Sequence, residues 1–93
     1  MDFIVEKNRI YKLDENGKLL AEVLFPESED GTVTITRTFV DDSLRGQGVA
    51  GKLILALTEE LKSQGKPAEP ACSYAVKWFG DHPEYNHLIK SPE

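Results

Sequence analysis

The residues best suited to chemistry cluster at positions 44–51, Leu-Arg-Gly-Gln-Gly-Val-Ala-Gly, where Gly46, Gly48 and Gly51 lead into an amphipathic stretch. A loop at a helix start exposes amides without internal partners, and the helix dipole adds positive potential, so such a place favours an anion such as phosphate. Glycine lets a ligand approach the main chain closely and permits dihedrals closed to other residues. Two familiar phosphate signatures do not apply. There is no G-x-x-x-x-G-K-[ST], and Gly46, Gly48 and Gly51 have the spacing of G-x-G-x-x-G without the βαβ setting that gives that pattern its meaning. On the loop alone, a tight strand-to-helix connection explains the glycines equally well.

Cys72 is the sole thiol. A thiolate can accept an acyl group where its surroundings favour the charge; the plainer reading is a small buried hydrophobe, a common fate of free cysteine. His82 opens His-Pro-Glu-Tyr and His87 follows it, and His-Pro reads as a helix boundary rather than a base. One cysteine and two histidines have no metal-ligand spacing, so no metal is expected. The Glu-Ser-Glu-Asp run at 27–30 reads as a solvated loop.

These residues need elements to position them. Residues 3–7 and 9–14 alternate in the manner of strands, and Asn16-Gly17 before the apolar run 19–25 predicts a hairpin with a type I′ turn. Pro26 ends that run and Asp30-Gly31 marks a turn. Residues 32–40 are dense in β-branched side chains and read as one further strand, with Val33, Ile35, Arg37 and Phe39 on one face. The four strands are expected to form an antiparallel meander. From 47 to 64, Ala50, Leu53, Ile54, Leu57 and Leu61 recur at helical spacing, with Gly65 as left-handed cap and Pro67 beyond. Residues 69–73 suggest a short strand carrying Cys72, and 74–79 a short helix or turn. Tyr85, Leu88 and Ile89 can dock a last turn.

With 93 residues and a formal charge of 11 minus 16, or −5, the chain reads as one α+β domain over residues 1–93. A lone cysteine excludes a disulfide framework and suits a reducing cytoplasm. No apolar run approaches the roughly 20 residues needed to cross a bilayer, and no signal-peptide pattern opens the sequence, so no membrane partner is expected. The acidic balance argues against nucleic-acid binding, which relies on Lys and Arg to neutralise phosphates. It leaves room for a small anion held by amides.

Arg45-Gly46-Gln47-Gly48-Val49-Ala50 resembles [Q/R]-x-x-G-x-[G/A], the acyl-CoA pyrophosphate motif of the GNAT N-acetyltransferase superfamily, in the same setting between a strand and a long helix. Thr-Phe-Val before the loop, Pro-Ala-Cys-Ser-Tyr-Ala after the helix and His-Pro-Glu-Tyr near the end resemble a small GNAT-like branch. The resemblance implies that Phe39 and Val40 offer backbone groups to pantetheine, the Val40 amide nearest the thioester carbonyl, and that Arg45, Gly46, Gln47, Gly48, Val49 and Ala50 wrap the pyrophosphate. Lys52 would meet the 3′-phosphate or serve only as a solvated helix charge. Cys72 would lie beside the thiol end of acetyl-CoA, and Tyr74 would protonate the departing thiolate or pack with Trp78 and Phe79. The fuller members of the superfamily roof the acceptor with helices between their first strands. Here residues 3–25 carry only strands and a turn, so the acceptor side is open or completed by a partner. The function implied is an acetyl-CoA-dependent N-acetyltransferase with an unidentified amine acceptor. A non-catalytic acyl-CoA-binding module and a small interaction protein are the alternatives.

Overall fold

The computed structural model describes residues 2–90, so residue 1 and residues 91–93 of the expected domain lie outside the described residues. Strands β1 (Ile4–Glu6), β2 (Arg9–Leu13) and β3 (Leu19–Leu24) are followed by β4 (Val33–Ile35) and β5 (Arg37–Val40). An antiparallel sheet runs in the order β1-β2-β3-β5. Its register places Val5, Ile10, Val23 and Thr38 in one cross-strand row, and Tyr11, Glu22 and Phe39 in the next. Successive residues of a strand face opposite ways, so these rows lie on opposite faces. Ile10, Ala21 and Val23 are fully buried beneath helix α1 (Val49–Gln64), whose Leu53, Ile54 and Leu57 are equally buried. Each of the Val, Leu and Ile side chains contributes about 1.5–3 kcal/mol of hydrophobic stabilisation. The helix stops where the sequence predicts, with Gly65 left-handed at φ 66° and its amide bonded to the Leu61 carbonyl.

The expected single strand over 32–40 is two strands in two sheets. β4 pairs in parallel with β6 (Ala68–Pro70), whereas β5 pairs with β3. Thr36 is where the chain changes partner: the Ile35 carbonyl accepts the Ala71 and Cys72 amides, while the Thr36 amide already bonds the Leu24 carbonyl at 3.0 Å. The irregularity also turns the faces over. Val33 and Ile35 are buried in the core, but Arg37 and Phe39 share the outer face with Glu22.

Two further expectations are corrected. The hairpin after β2 is not type I′, because Gly17 alone in that turn has positive φ, 86°. Asp14 instead accepts the Gly17 amide on its carbonyl and the Asn16 and Lys18 amides on its carboxylate, which closes a three-residue loop. The last strand spans Ala68–Pro70 rather than 69–73, because the Ile35 carbonyl ends the ladder. Cys72 therefore precedes helix α2 (Ser73–Asp81) instead of lying on a strand, and Tyr74 stands in that helix's first turn. A 3-10 segment, Pro83–Leu88, follows, and Ile89 and Lys90 close the outer edge of β6 by a bridge to Ala68 and a bond to its carbonyl. Among the described residues, no helix is long and apolar enough to cross a membrane.

Candidate functional site

A 3-10 turn, Asp42–Leu44, links β5 to the loop, capped by the Asp41 carboxylate, which accepts the Ser43 hydroxyl and amide; these bonds hold the Asp41 carboxyl below its ordinary range. Gly46 and Gly48 then take φ of 83° and 72°, the left-handed region that side-chain-bearing residues avoid. Gly48 is the N-cap of α1 and has no side chain to satisfy the helix start. The Lys52 amide reaches the Gly48 carbonyl at 3.1 Å, whereas the amides of Val49, Ala50 and Gly51 have no acceptor among the described residues. No acidic residue stands in the first turn to neutralise them.

These amides border a cleft of about 350 Å³ lined by Val40, Leu44, Arg45, Gly46, Gly48, Val49, Ala50, Gly51 and Tyr74. A hollow of about 390 Å³ sits at the other end of α1, against Leu61, Lys62 and His87. Size therefore does not select the site; the free helix-start amides do.

The far wall of the cleft comes from the parting of β5 and β6. The Asp41 amide bonds the Leu20 carbonyl, so by antiparallel alternation the main-chain groups of Phe39 also turn towards β3 and those of Thr38 and Val40 turn to the open edge. An extended ligand entering between β5 and α2 thus meets unpaired backbone at Thr38 and Val40. The Thr38 hydroxyl lies 3.4 Å from the Cys72 sulfur, which places the thiol beside that same edge. Cys72 is half-buried.

Tyr74 approaches from α2. A Cβ on Gly51 would stand 3.7 Å from the Tyr74 hydroxyl and from Trp78 Nε1, so the tyrosine tip overhangs the first turn of α1. Burial pushes the Tyr74 hydroxyl above its usual pKa of 10.0, with Lys77 opposing and Asp81 reinforcing the shift. It therefore keeps its proton at neutral pH.

The profile of the GCN5-related N-acetyltransferases matches residues 9–88. The chain belongs to that family. Among solved structures it resembles a GCN5-like protein from Staphylococcus aureus at TM-score 0.80 and 26% identity, covering 99% of this chain and 90% of that one. It also resembles a GNAT-family N-acetyltransferase from Escherichia coli in complex with CoA, at TM-score 0.61 and 21% identity over 74% of this chain, and glucosamine-6-phosphate N-acetyltransferase from Arabidopsis thaliana, at 0.57 and 22% over 91%. It spans 42% and 62% of those two chains. No curated protein matches the sequence.

Within this GNAT fold, most of the loop residues singled out from the sequence come together on the cleft. Gln47 is exposed, its side-chain amide 3.5 Å from the Ser43 carbonyl, and Lys52 projects into solvent from α1. Arg45 reaches back to Asp42 at 2.9 Å. Sequence reasoning gave Leu44 and Thr38 no role of their own. Leu44 carried no polar signal, and Thr38 is distinguished only by the strand break at Thr36. His82 stacks on Trp78 with ring centroids 4.1 Å apart and bonds its carbonyl, and it is not among the residues that line the cleft.

Proposed function

We propose that this chain is an acetyl-CoA-dependent N-acetyltransferase domain that passes an acetyl group to an amine. Family and fold support acetyl transfer. The observation that carries the finer reading is the union, in one cleft, of the partnerless amides of Val49, Ala50 and Gly51 with the open edge of β5. The first suits a pyrophosphate without many basic side chains, which fits a chain of charge −5. The second suits an amide-bearing pantetheine arm. Acetyl-CoA supplies an activated thioester.

In this reading Gly46, Gly48 and the α1 amides bind the diphosphate, with Arg45 at the rim and Lys52 at most a distant contributor. Val40 and Thr38 orient the arm along β5, so that the acyl end points towards Cys72. An amine attacks the acyl carbon directly, forming the N–C bond as the thioester C–S bond breaks and releasing its proton to solvent, or the Cys72 thiol, releasing its own proton to solvent, takes the acetyl group first and yields it to the amine. Tyr74 holds the proton that the departing thiolate needs.

Calorimetric titration with acetyl-CoA followed by intact-mass analysis tests this reading. Heat of binding and one acetyl increment on an added amine support it. Binding without acetyl transfer to any amine leaves an acyl-CoA-binding module, and no binding at millimolar acetyl-CoA removes both. An acetyl increment on Cys72 that chases onto the amine favours the two-step route.

A further inference from the structure

A chain of alternating charges crosses the sheet face that α1 leaves uncovered. Glu6, Arg9, Leu24 and Arg37 form one cross-strand row there. Glu22, from the neighbouring row, is only 7% exposed although it is a carboxylate. One of its oxygens accepts Arg9 Nε and the other accepts Arg37 Nε at 3.2 Å. Arg9 is further held by Glu6 at 3.9 Å and by the Tyr11 ring beneath it. Arg37 lies over Phe39, 5.1 Å from the ring centroid.

The series therefore reads anion, cation, anion, cation, and it ends at the β5 edge on a guanidinium. Glu22 already has Arg9 as a partner, so neutralising that carboxylate does not require Arg37. Arg37 engages only its Nε; its two terminal nitrogens meet no acceptor among the described residues, and its side chain is 51% exposed. A guanidinium pinned through Nε and an aromatic face presents its remaining N–H groups as a preset fork, the geometry that takes a carboxylate through two parallel bonds. Its position matters as well. Arg37 immediately precedes Thr38, whose hydroxyl touches Cys72, and it lies on the opposite face of β5 from the buried residues under α1.

We infer that Arg37 anchors a carboxylate of the acceptor, so that the substrate class is an amine that also carries an acid group, docked on the uncovered sheet face. The word acceptor rests on the acetyltransferase reading. The carboxylate site itself can be measured without turnover.

The test titrates isotopically labelled protein with two C-terminally amidated dipeptides, lysyl-glutamate amide and lysyl-glutamine amide, so that the glutamate side chain supplies the one carboxylate of the pair. The glutamate peptide is expected to shift the Arg37 Nε–H and β5 amide resonances saturably and to bind about tenfold more tightly than its glutamine counterpart, the value of one charge-assisted bidentate contact. Arg37→Gln is expected to erase that preference while the fold, read from amide dispersion, and the acetyl-CoA dissociation constant stay as in the parent. Arg37→Lys, which keeps the charge without the fork, should fall between. Equal affinity for the two dipeptides, no binding of either, or a preference that survives Arg37→Gln overturns the inference. Acetyl-CoA is then added to the same samples. Carboxylate binding at Arg37 without an acetylated dipeptide removes the acceptor role and leaves a bare anion site, whereas the acetyltransferase reading falls only if no amine is acetylated; acetylation of both dipeptides alike removes the anchor and leaves the enzyme.

Discussion

The Thr38 hydroxyl oxygen and the Cys72 sulfur lie 3.4 Å apart, joining β5 to the start of α2 where the two β-layers part. A hydroxyl at this distance can donate to negative charge developing on sulfur. Thr38→Val keeps the shape and removes that donor. The alkylation rate of Cys72 by iodoacetamide at neutral pH is expected to fall severalfold, followed by intact mass; an unchanged rate would show that the contact has no bearing on the thiol.

Two glycines of the loop should answer in opposite directions to the same substitution. Gly48 has φ 72°, so Gly48→Ala forces a side-chain-bearing residue into the left-handed region at a cost of about 1–2 kcal/mol. Gly51 is helical, and a Cβ there meets its nearest neighbours at 3.7 Å, an ordinary contact. Gly51→Ala is expected to stabilise by up to about 1 kcal/mol through helix propensity. Urea unfolding of both variants reads the two signs.

Ligand binding should depend on loop backbone more than on the nearest lysine. Gly48→Val is expected to weaken acetyl-CoA by about tenfold or more by distorting the amide nest, and Lys52→Ala, an exposed charge, by less than about twofold. Calorimetry compares them. Parent-like affinity in both variants would displace the pyrophosphate from this loop.

If Tyr74 gives up a proton during transfer, Tyr74→Phe should lower kcat by about 100-fold or more. Because the Tyr74 pKa is raised above 10.0, its protonated form persists throughout the neutral range, so the parent's rate should show no Tyr74-dependent decline until the pH exceeds that value. A Tyr74→Phe variant with parental kcat would reduce the residue to a wall of the cleft.

Acid stability has a local source in Asp30, which bonds Lys90 at 2.6 Å and the Thr32 amide. These bonds, the Lys90 contact first, lower its pKa from 3.8 to about 2. A carboxyl held low in the folded state stabilises above the unfolded value and loses that contribution as pH falls through the folded one. Thermal melts of the parent and Asp30→Asn should therefore differ above pH 3.8 and converge towards pH 2. Parallel curves across that interval would assign the acid response to other groups.

Local patterns in the sequence were enough for the helix and the loop, since both are written in consecutive residues. Leu53, Ile54, Leu57 and Leu61 mark one face of a helix, Gly65 marks its end, and Gly46 and Gly48 supply the positive φ that turns the chain into it. The Asn16-Gly17 signal found the hairpin but not its turn type, because the Asp14 carboxylate captures the neighbouring amides and leaves positive φ to Gly17 alone.

What lies between the elements depended on partners far along the chain. Residues 32–40 are uniformly extended and β-branched, so no local feature shows that Thr36 divides them; the division arises because Ile35 bonds Ala71 and Cys72 while Thr36 bonds Leu24. That exchange of partners opens the edge at Thr38 and Val40, turns Arg37 and Phe39 outward, and brings Cys72 to Thr38. The sequence by itself determined an α+β chain with an amide-rich loop at a helix start, because propensity, periodicity and glycine dihedrals act over a few residues. Only the tertiary structure decided which strand edge is left unpaired and which side chains face it, because hydrogen-bond pairing between distant strands is settled by packing against the whole core.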